Sequence, residues 1–237
     1  MSISLDYYFA NLDAFPFPDW FSGMKLAAEV LEKAKPFLDT FLVEPNVQEN
    51  HATMKGTPPH LYGNYFIGEG SVIYNGVTII GPVYIGKNVD IMPGATIRPG
   101  TIIGDNCSVG HGSEIKHSVL FNGAKVASLA FVGNSVLGKS ARIGSGVITA
   151  NRKFDQTNAT ITLDGKTHDL ESDFFGCIVG DNTRLGANSV TQPGTHIGPN
   201  TWIFPLTGVR CFIPREKRVM TKTQVMVMDN EVVELKP

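Results

Sequence analysis

The sequence predicts a parallel β-helix, an all-β solenoid of three-sided coils, and three observations predict it. Between residues 67 and 115 every sixth residue is a β-branched aliphatic: Ile67, Ile73, Ile79, Ile85, Ile91, Ile97, Ile103, Val109 and Ile115. Gly68, Gly86 and Gly104 each follow one of these and lie 18 residues apart, three times the shorter period. Asn88, Asn106, Asn182 and Asn200, with the Pro-Gly pairs at 93–94, 99–100 and 193–194, supply residues suited to tight corners. A helix spaces its apolar residues about 3.6 apart and a simple strand alternates them, so neither accounts for a spacing of six. A fixed hexapeptide period is one short strand and its turn stacked many times, and three such faces close a coil. Branched side chains pack well at the inward position of a pleated wall. A β-sandwich is the bland alternative, but its turns recur every 8–12 residues or so without a strict period.

The elements follow in order. Residues 1–60 form an N-terminal helical cap in which Asp19 or Ser22 starts a helix through MKLAAEVLEKAK and Pro36 ends it. Laid across the open end of the first coil, it would cover the exposed edge. The β-helix occupies 61–214. Its period slips by one residue before Leu120 and again before Leu137, and single-residue slips mark bulges that favour functional sites. Residues 150–177 interrupt the repeat, with ATITL-DG-KTHDL reading as a hairpin around an Asp-Gly turn. The repeat resumes at Val179, Leu185, Thr191, Ile197, Ile203 and Val209. Residues 215–237 form a tail whose TQVMVMDNEVVELKP reads as a terminal hairpin turning at Asp229-Asn230.

Composition narrows the partners. A net charge of −2 over 237 residues marks neither a nucleic-acid binder nor a membrane-surface protein. Cys107, Cys177 and Cys211 share no motif spacing, which suits a reducing compartment and a cytoplasmic protein. The first twenty residues have no cationic start or apolar run of the secretory kind. No glycine-rich phosphate loop follows a strand, and sixty residues do not hold a doubly wound nucleotide domain, so no nucleotidylyltransferase activity is expected.

The stretch VGHGSEIKHSVLFNGAKVASLAFVGNSVLGKSARIGSGVITAN (109–151) resembles the acetyltransferase half of the bifunctional UDP-N-acetylglucosamine pyrophosphorylase/glucosamine-1-phosphate acetyltransferase. Through VITAN-RKFD and the inserted hairpin, the chain also resembles the C-terminal halves of related sugar-1-phosphate nucleotidylyltransferases. The resemblance covers roughly residues 66–210 and implies a left-handed coil, a homotrimer, and acetyl-CoA held between neighbouring subunits. It further implies that Arg98 contacts a phosphate, that Glu114 and Lys116 form a sugar-site pair, and that Asn151 lies by the acetyl thioester. Arg152 and Lys153, just after Asn151, are then candidate acyl-CoA contacts. The chain departs from the family elsewhere: its basic histidine and its tyrosine are replaced in Ala127-Ser128-Leu129-Ala130-Phe131, and a sugar-site asparagine becomes Arg142. Phe131 and Arg142 therefore stand where substrate contacts are expected.

The period lets side chains be stacked without coordinates. Arg98 and Lys116 are 18 residues apart and fall on neighbouring rungs, about 4.8 Å apart. Two cations that close repel unless an anion lies between them, and arginine offers a fork for phosphate. The alternative is a solvated pair neutralised by Glu114. Counted through the slip, His111 falls one rung from Ser128, which makes His111 a candidate base and Ser128 a relay beside it. Without a role it is a surface turn histidine. His111, His117, His168 and His196 also raise the interface zinc of β-helical carbonic anhydrases, but their spacing does not favour it and no metal is expected. Two function classes stand at this point. One is an acyltransferase acting on a phosphorylated or nucleotide-linked amino sugar, with His111, Ser128 and Asn151 catalytic. The other is a non-catalytic sugar-phosphate or partner-binding β-helix that has lost the family's histidine and tyrosine.

Overall fold

In a computed structural model that describes residues 3–42, 50–163 and 165–222, the hexapeptides form three parallel sheets wrapped around one core. The first sheet runs from Thr53–Lys55 to Arg218–Val219, the second from His60–Tyr62 to Gly208–Val209, and the third from Tyr65–Ile67 to Phe212–Ile213. Each coil contributes one strand to each sheet. Rung-to-rung register stacks Ile73, Ile91, Val109, Val126, Ile143, Leu185 and Ile203 in a single inward column. These residues and their counterparts on the other two sheets fill the solenoid and are almost wholly buried. No helix among the described residues is long and apolar enough to cross a membrane.

The corners explain the period. Asn88, Asn106, Asn182 and Asn200 all turn with φ between 54° and 58°, a left-handed conformation that asparagine tolerates better than most residues. Gly68, Gly86 and Gly104 serve a second constraint, because the next coil passes too close for a side chain. A Cβ on Gly68 would lie 2.7 Å from the carbonyl oxygen of Gly86.

Both slips fall at the corner between the second and third sheets. Two consecutive 17-residue coils result, with Val109 opposite Val126 and Val126 opposite Ile143. The shortened corners turn at His117 (φ 44°) and Asn134 (φ 47°). The excursion leaves from the same corner, between Ile148–Thr149 and Cys177–Val179, and carries the antiparallel hairpin Thr160–Leu163 with Lys166–Asp169. Asp164, half of the expected hairpin turn, and the expected terminal hairpin around Asp229-Asn230 lie outside the described residues. The ladder begins at Thr53, paired with Val72, and ends at Val219, paired with Ile203.

The N-terminal cover lies along the third sheet instead of across the first coil's end. Its outward column reads Phe66, Tyr84, Ile102, Val119, Val136, Ile178, His196, Phe212 in register, apolar except for one histidine. Such a face must be covered, and Tyr8, Phe9, Phe15, Phe21, Val30, Leu31 and Leu38 cover it. Phe9 stacks on Phe121 at 4.7 Å, and the Asp181 carboxylate ties the arm down by accepting from the amides of Ala10 and Lys139. The helix spans Ala28–Phe41 and continues through Pro36, where the sequence predicts its end. Pro36 and Glu32, whose carbonyl the proline leaves unbonded, are both on the exposed side, while Val30, Leu31, Ala34 and Leu38 are buried. Burial carries the helix past the proline. The Glu29 carboxylate accepts from the amides of Lys25 and Leu26 at its start.

Candidate functional site

The corner where slips and insertion coincide gathers most of the candidate residues. On the second sheet Thr96 pairs with Glu114 and Ile97 with Ile115, so Arg98 and Lys116 are rung neighbours, as the period predicts. Their heads diverge. Arg98 Nη1 lies 2.8 Å from Glu114 Oε1, whereas Lys116 Nζ sits 4.7 Å above the ring of Phe174, on the returning limb of the insertion. The guanidinium of Arg152 lies 4.7 Å from the same ring, so one aromatic carries two cations. Arg152 also donates to Gln156 Oε1 at 3.0 Å and lies 3.6 Å from Asp173. Lys153 turns inward to its own loop, donating to Thr157 Oγ1 and the Asn158 carbonyl.

Asn151 stands at the root of the insertion. Its Nδ2 donates to Oδ1 of buried Asn134 across 2.7 Å, and its carbonyl accepts from Phe175 N–H. Gly133 keeps this junction open: a Cβ there would meet the ring of Phe131 at 2.6 Å and Asn151 Nδ2 at 2.9 Å. Phe131, Gly133, Asn134 and Asn151 therefore form one compact patch beside Lys116, whose rung partner is Gly133. Behind it, a groove of about 580 Å³ runs between the insertion and the N-terminal helix, lined by His117, Asn134, His168, Phe174 and His196 among others. Burial, with Lys116 nearby, pulls His117 below the ordinary histidine range, and a hydrogen bond to Leu31 only partly opposes this. Burial pushes His196 down to about 4 against the opposing bond from its Nδ1 to the Gly194 carbonyl.

His111 and Ser128 fall on neighbouring rungs, as counting through the slip predicts. Val109 pairs with Val126, and the amide of Leu129 donates to the His111 carbonyl at 2.8 Å. His111 Nδ1 lies 2.8 Å from the Pro93 carbonyl, which can only accept, so Nδ1 is the donor and Nε2 is the nitrogen left to face a ligand. The imidazole is exposed. This pair occupies the corner between the first and second sheets. Lys116 and Asn151 occupy the opposite edge of the second sheet, beyond the turn at residues 111–112 and the strand Glu114–Lys116. Arg142 is further removed, on the first sheet between Lys125 and Arg184. Within one chain, the candidate residues thus form two separate groups, with Arg142 in neither. Sequence reasoning missed Asn134 and Phe174. Asn134 had a signal, since it sits in the second slip; Phe174 had none.

Residues 79–175 match the family described as the GMPPB C-terminal domain, and residues 176–203 match the hexapeptide repeat of succinyl-transferase. The putative uncharacterized acetyltransferase YaiX of Escherichia coli (strain K12) is 31% identical over 199 residues, covering 83% of this chain and 85% of that protein. Bifunctional protein GlmU of Methanococcus aeolicus is 36% identical over 116 residues, which are 48% of this chain and 28% of that protein. The chain therefore matches less than a third of the length of its bifunctional relative. The Arabidopsis UDP-N-acetylglucosamine acyltransferase structure superposes with a TM-score of 0.44 at 20% identity, over 76% of this chain and 71% of that one. On its six-residue repeat and on its similarity to YaiX over 83% of the chain, the chain belongs to the hexapeptide-repeat β-helix family, and residues 79–175 are similar to the C-terminal parts of sugar-1-phosphate nucleotidylyltransferase/acetyltransferases.

Proposed function

We propose that the protein is an acyltransferase that moves an acetyl group from acetyl-CoA to the amine of a phosphorylated or nucleotide-linked amino sugar, in a site built between copies of a homotrimer. The observation that carries this reading is the split of the candidate residues. His111 with Ser128 sits at one edge of the second sheet and Lys116 with Asn151 at the other, with the turn at residues 111–112 and the strand Glu114–Lys116 between them. Neighbouring copies can bring one chain's His111 edge to another's Asn151 edge, so that both groups face one amino sugar.

Each residue then has a chemical task. Arg98, Lys116 and Arg152 hold the phosphate, and Glu114 both orients Arg98 and accepts from sugar hydroxyls. Phe131 offers an apolar wall for the sugar ring. Asn151 spends one amide hydrogen on Asn134 and keeps the other for the thioester oxygen as it gains negative charge. His111 Nε2 takes the proton from the attacking amine, with Ser128 beside it as relay. The amine nitrogen bonds to the thioester carbonyl carbon, the C–S bond breaks, and the proton passes to the departing thiolate. Three free cysteines, two of them buried, suit a reducing cytoplasm.

A second reading is favoured by one specific departure. Ser128 and Phe131 stand where the family's histidine and tyrosine are expected, so the chain would be a sugar-phosphate-binding trimer without turnover. Release of free thiol from acetyl-CoA in the presence of glucosamine 1-phosphate separates the two. Turnover that falls about 100-fold in His111→Ala supports the enzyme, in line with general-base contributions. Binding of the sugar phosphate with no thiol released across a panel of amino-sugar phosphates and nucleotide-linked amino sugars supports the non-catalytic reading.

A further inference from the structure

The register of the first sheet stacks Lys125, Arg142, Arg184, Trp202 and Arg218 on consecutive rungs of one outward column. Arg142 and Arg184 are 42 residues apart in the chain, with the whole insertion between them, yet the column closes over it without a gap. All five side chains are exposed, and Trp202 keeps 44% of its surface. None of the four cations makes an ion pair among the described residues.

Acidic groups near the column do not neutralise it. Asp90 lies two rungs below Lys125 in the same column. The Asp181 carboxylate is spent on the amides of Ala10 and Lys139. Glu216 lines the hollow beside Arg184 and Arg218 but pairs with neither. Like charges on rungs about 4.8 Å apart repel by about 1 kcal/mol even at the dielectric of water, and more beside a protein wall. The chain as a whole is close to neutral, so this row of charge is local.

Next to the cations runs a low strip of Gly110, Ala127, Gly144 and Gly186. These residues are small because successive coils approach closely: a Cβ on Gly144 would lie 2.7 Å from the Ala187 amide nitrogen. A chain-like ligand can therefore lie near the backbone with its charges against the column. Trp202 is the one aromatic ring in the column, with the Arg218 guanidinium 5.3 Å from its centroid. Single-stranded nucleic acid needs aromatic rings on successive rungs for successive bases, whereas Trp202 and Phe204, which follows Gly186 on the strip, share one rung. Inorganic polyphosphate has no apolar face to use the tryptophan. A carboxylated glycan has both parts, carboxylates for the arginine forks and ring faces for the indole.

We propose that the first sheet binds a linear acidic glycan along the Lys125–Arg142–Arg184–Arg218 column, a site independent of acyl transfer. Biolayer interferometry at low salt with immobilised polygalacturonate, neutral dextran, poly(U) RNA and polyphosphate tests it. Polygalacturonate should bind at least about tenfold more tightly than any of the other three. Arg142→Glu with Arg184→Glu should weaken that binding by at least about tenfold, while Trp202→Ala weakens glycan but not polyphosphate binding. If the double charge reversal misfolds, Arg142→Gln with Arg184→Gln serves in its place. Equal binding of dextran, tighter binding of RNA or polyphosphate, or full affinity in the folded double variant overturns the proposal. So does light scattering in which the double variant changes the oligomer while polygalacturonate fails to bind, because the column would then be covered by another copy of the chain.

Discussion

Asn151 Nδ2 donates to Asn134 Oδ1 across 2.7 Å, so the side chain assigned to the thioester is held by a residue in the shortened corner one rung below. Asn134 is buried and turns at φ 47°. Two effects meet there and can be separated by mutation. Asn134→Gly relieves the backbone but removes the acceptor, so acyl transfer should fall about tenfold with a stability loss of about 1 kcal/mol. Asn134→Ala removes the same acceptor and adds the left-handed penalty, roughly 1–2 kcal/mol more. Urea denaturation of both variants checks the order, and equal midpoints would contradict it.

Phe174 carries Lys116 on one ring contact and Arg152 on another. Exposed cation–π contacts contribute about 0.5–1 kcal/mol each, so Phe174→Ala should change stability little. Lys116→Ala should weaken binding of glucosamine 1-phosphate by about 10- to 100-fold, the loss of a charge-assisted hydrogen bond. Titration calorimetry reads this directly. Arg98→Ala should cost less than Lys116→Ala, because Glu114 already occupies the guanidinium. That pair is more than a third exposed and adds little to stability by itself.

His196 makes stability depend on pH. The unfolded chain protonates this histidine near 6.5, but the folded protein holds it neutral down to about 4. Between those values the unfolded state binds more protons, so stability is full above 6.5 and is lost as pH falls toward 4. The loss approaches roughly 3 kcal/mol. The ring is stacked on Phe175 at 5.7 Å and shares a column with Phe212, so His196→Phe suits the site. Chemical denaturation from pH 7 to pH 4 should show a shallower decline for His196→Phe than for the parent. Identical slopes would contradict the assignment.

The N-terminal arm is held by rings more than by its helix. Phe121 stacks on Phe9 and Phe21 and packs against Phe15 at centroid distances of 4.7, 5.6 and 5.0 Å. Phe121→Ala should cost about 3–5 kcal/mol and expose the arm to protease ahead of the solenoid. Limited trypsin digestion followed by mass spectrometry checks the order of cleavage.

The coil was legible because six-residue and 18-residue periods leave few alternatives, and the same counting placed Arg98 beside Lys116 and His111 beside Ser128. The cover's position has a signal in the sequence: the doublets Tyr84-Ile85, Ile102-Ile103 and Ile178-Val179 are apolar on both faces of the third sheet. A strand apolar on both faces is covered on both. Helix termination at Pro36 failed because burial on one side outweighs a hydrogen bond lost on the solvent side. The Phe174 contacts were not legible at all, since no period relates an insertion to the rungs it folds over. The first-sheet cation column was hidden for the same reason, with 42 residues between two of its rungs.

The most direct test of a site shared between copies is complementation. His111→Ala and Lys116→Ala, each strongly impaired as a pure oligomer at subsaturating sugar phosphate, are unfolded together, refolded at equal ratio and assayed under those conditions for thiol release from acetyl-CoA. A site drawing His111 from one copy and Lys116 from another is intact in about one pairing in four in a randomly mixed symmetric oligomer, so about a quarter of parental activity should return. A mixture as inactive as its components, with mixed oligomers shown by native mass spectrometry, would contradict the shared site.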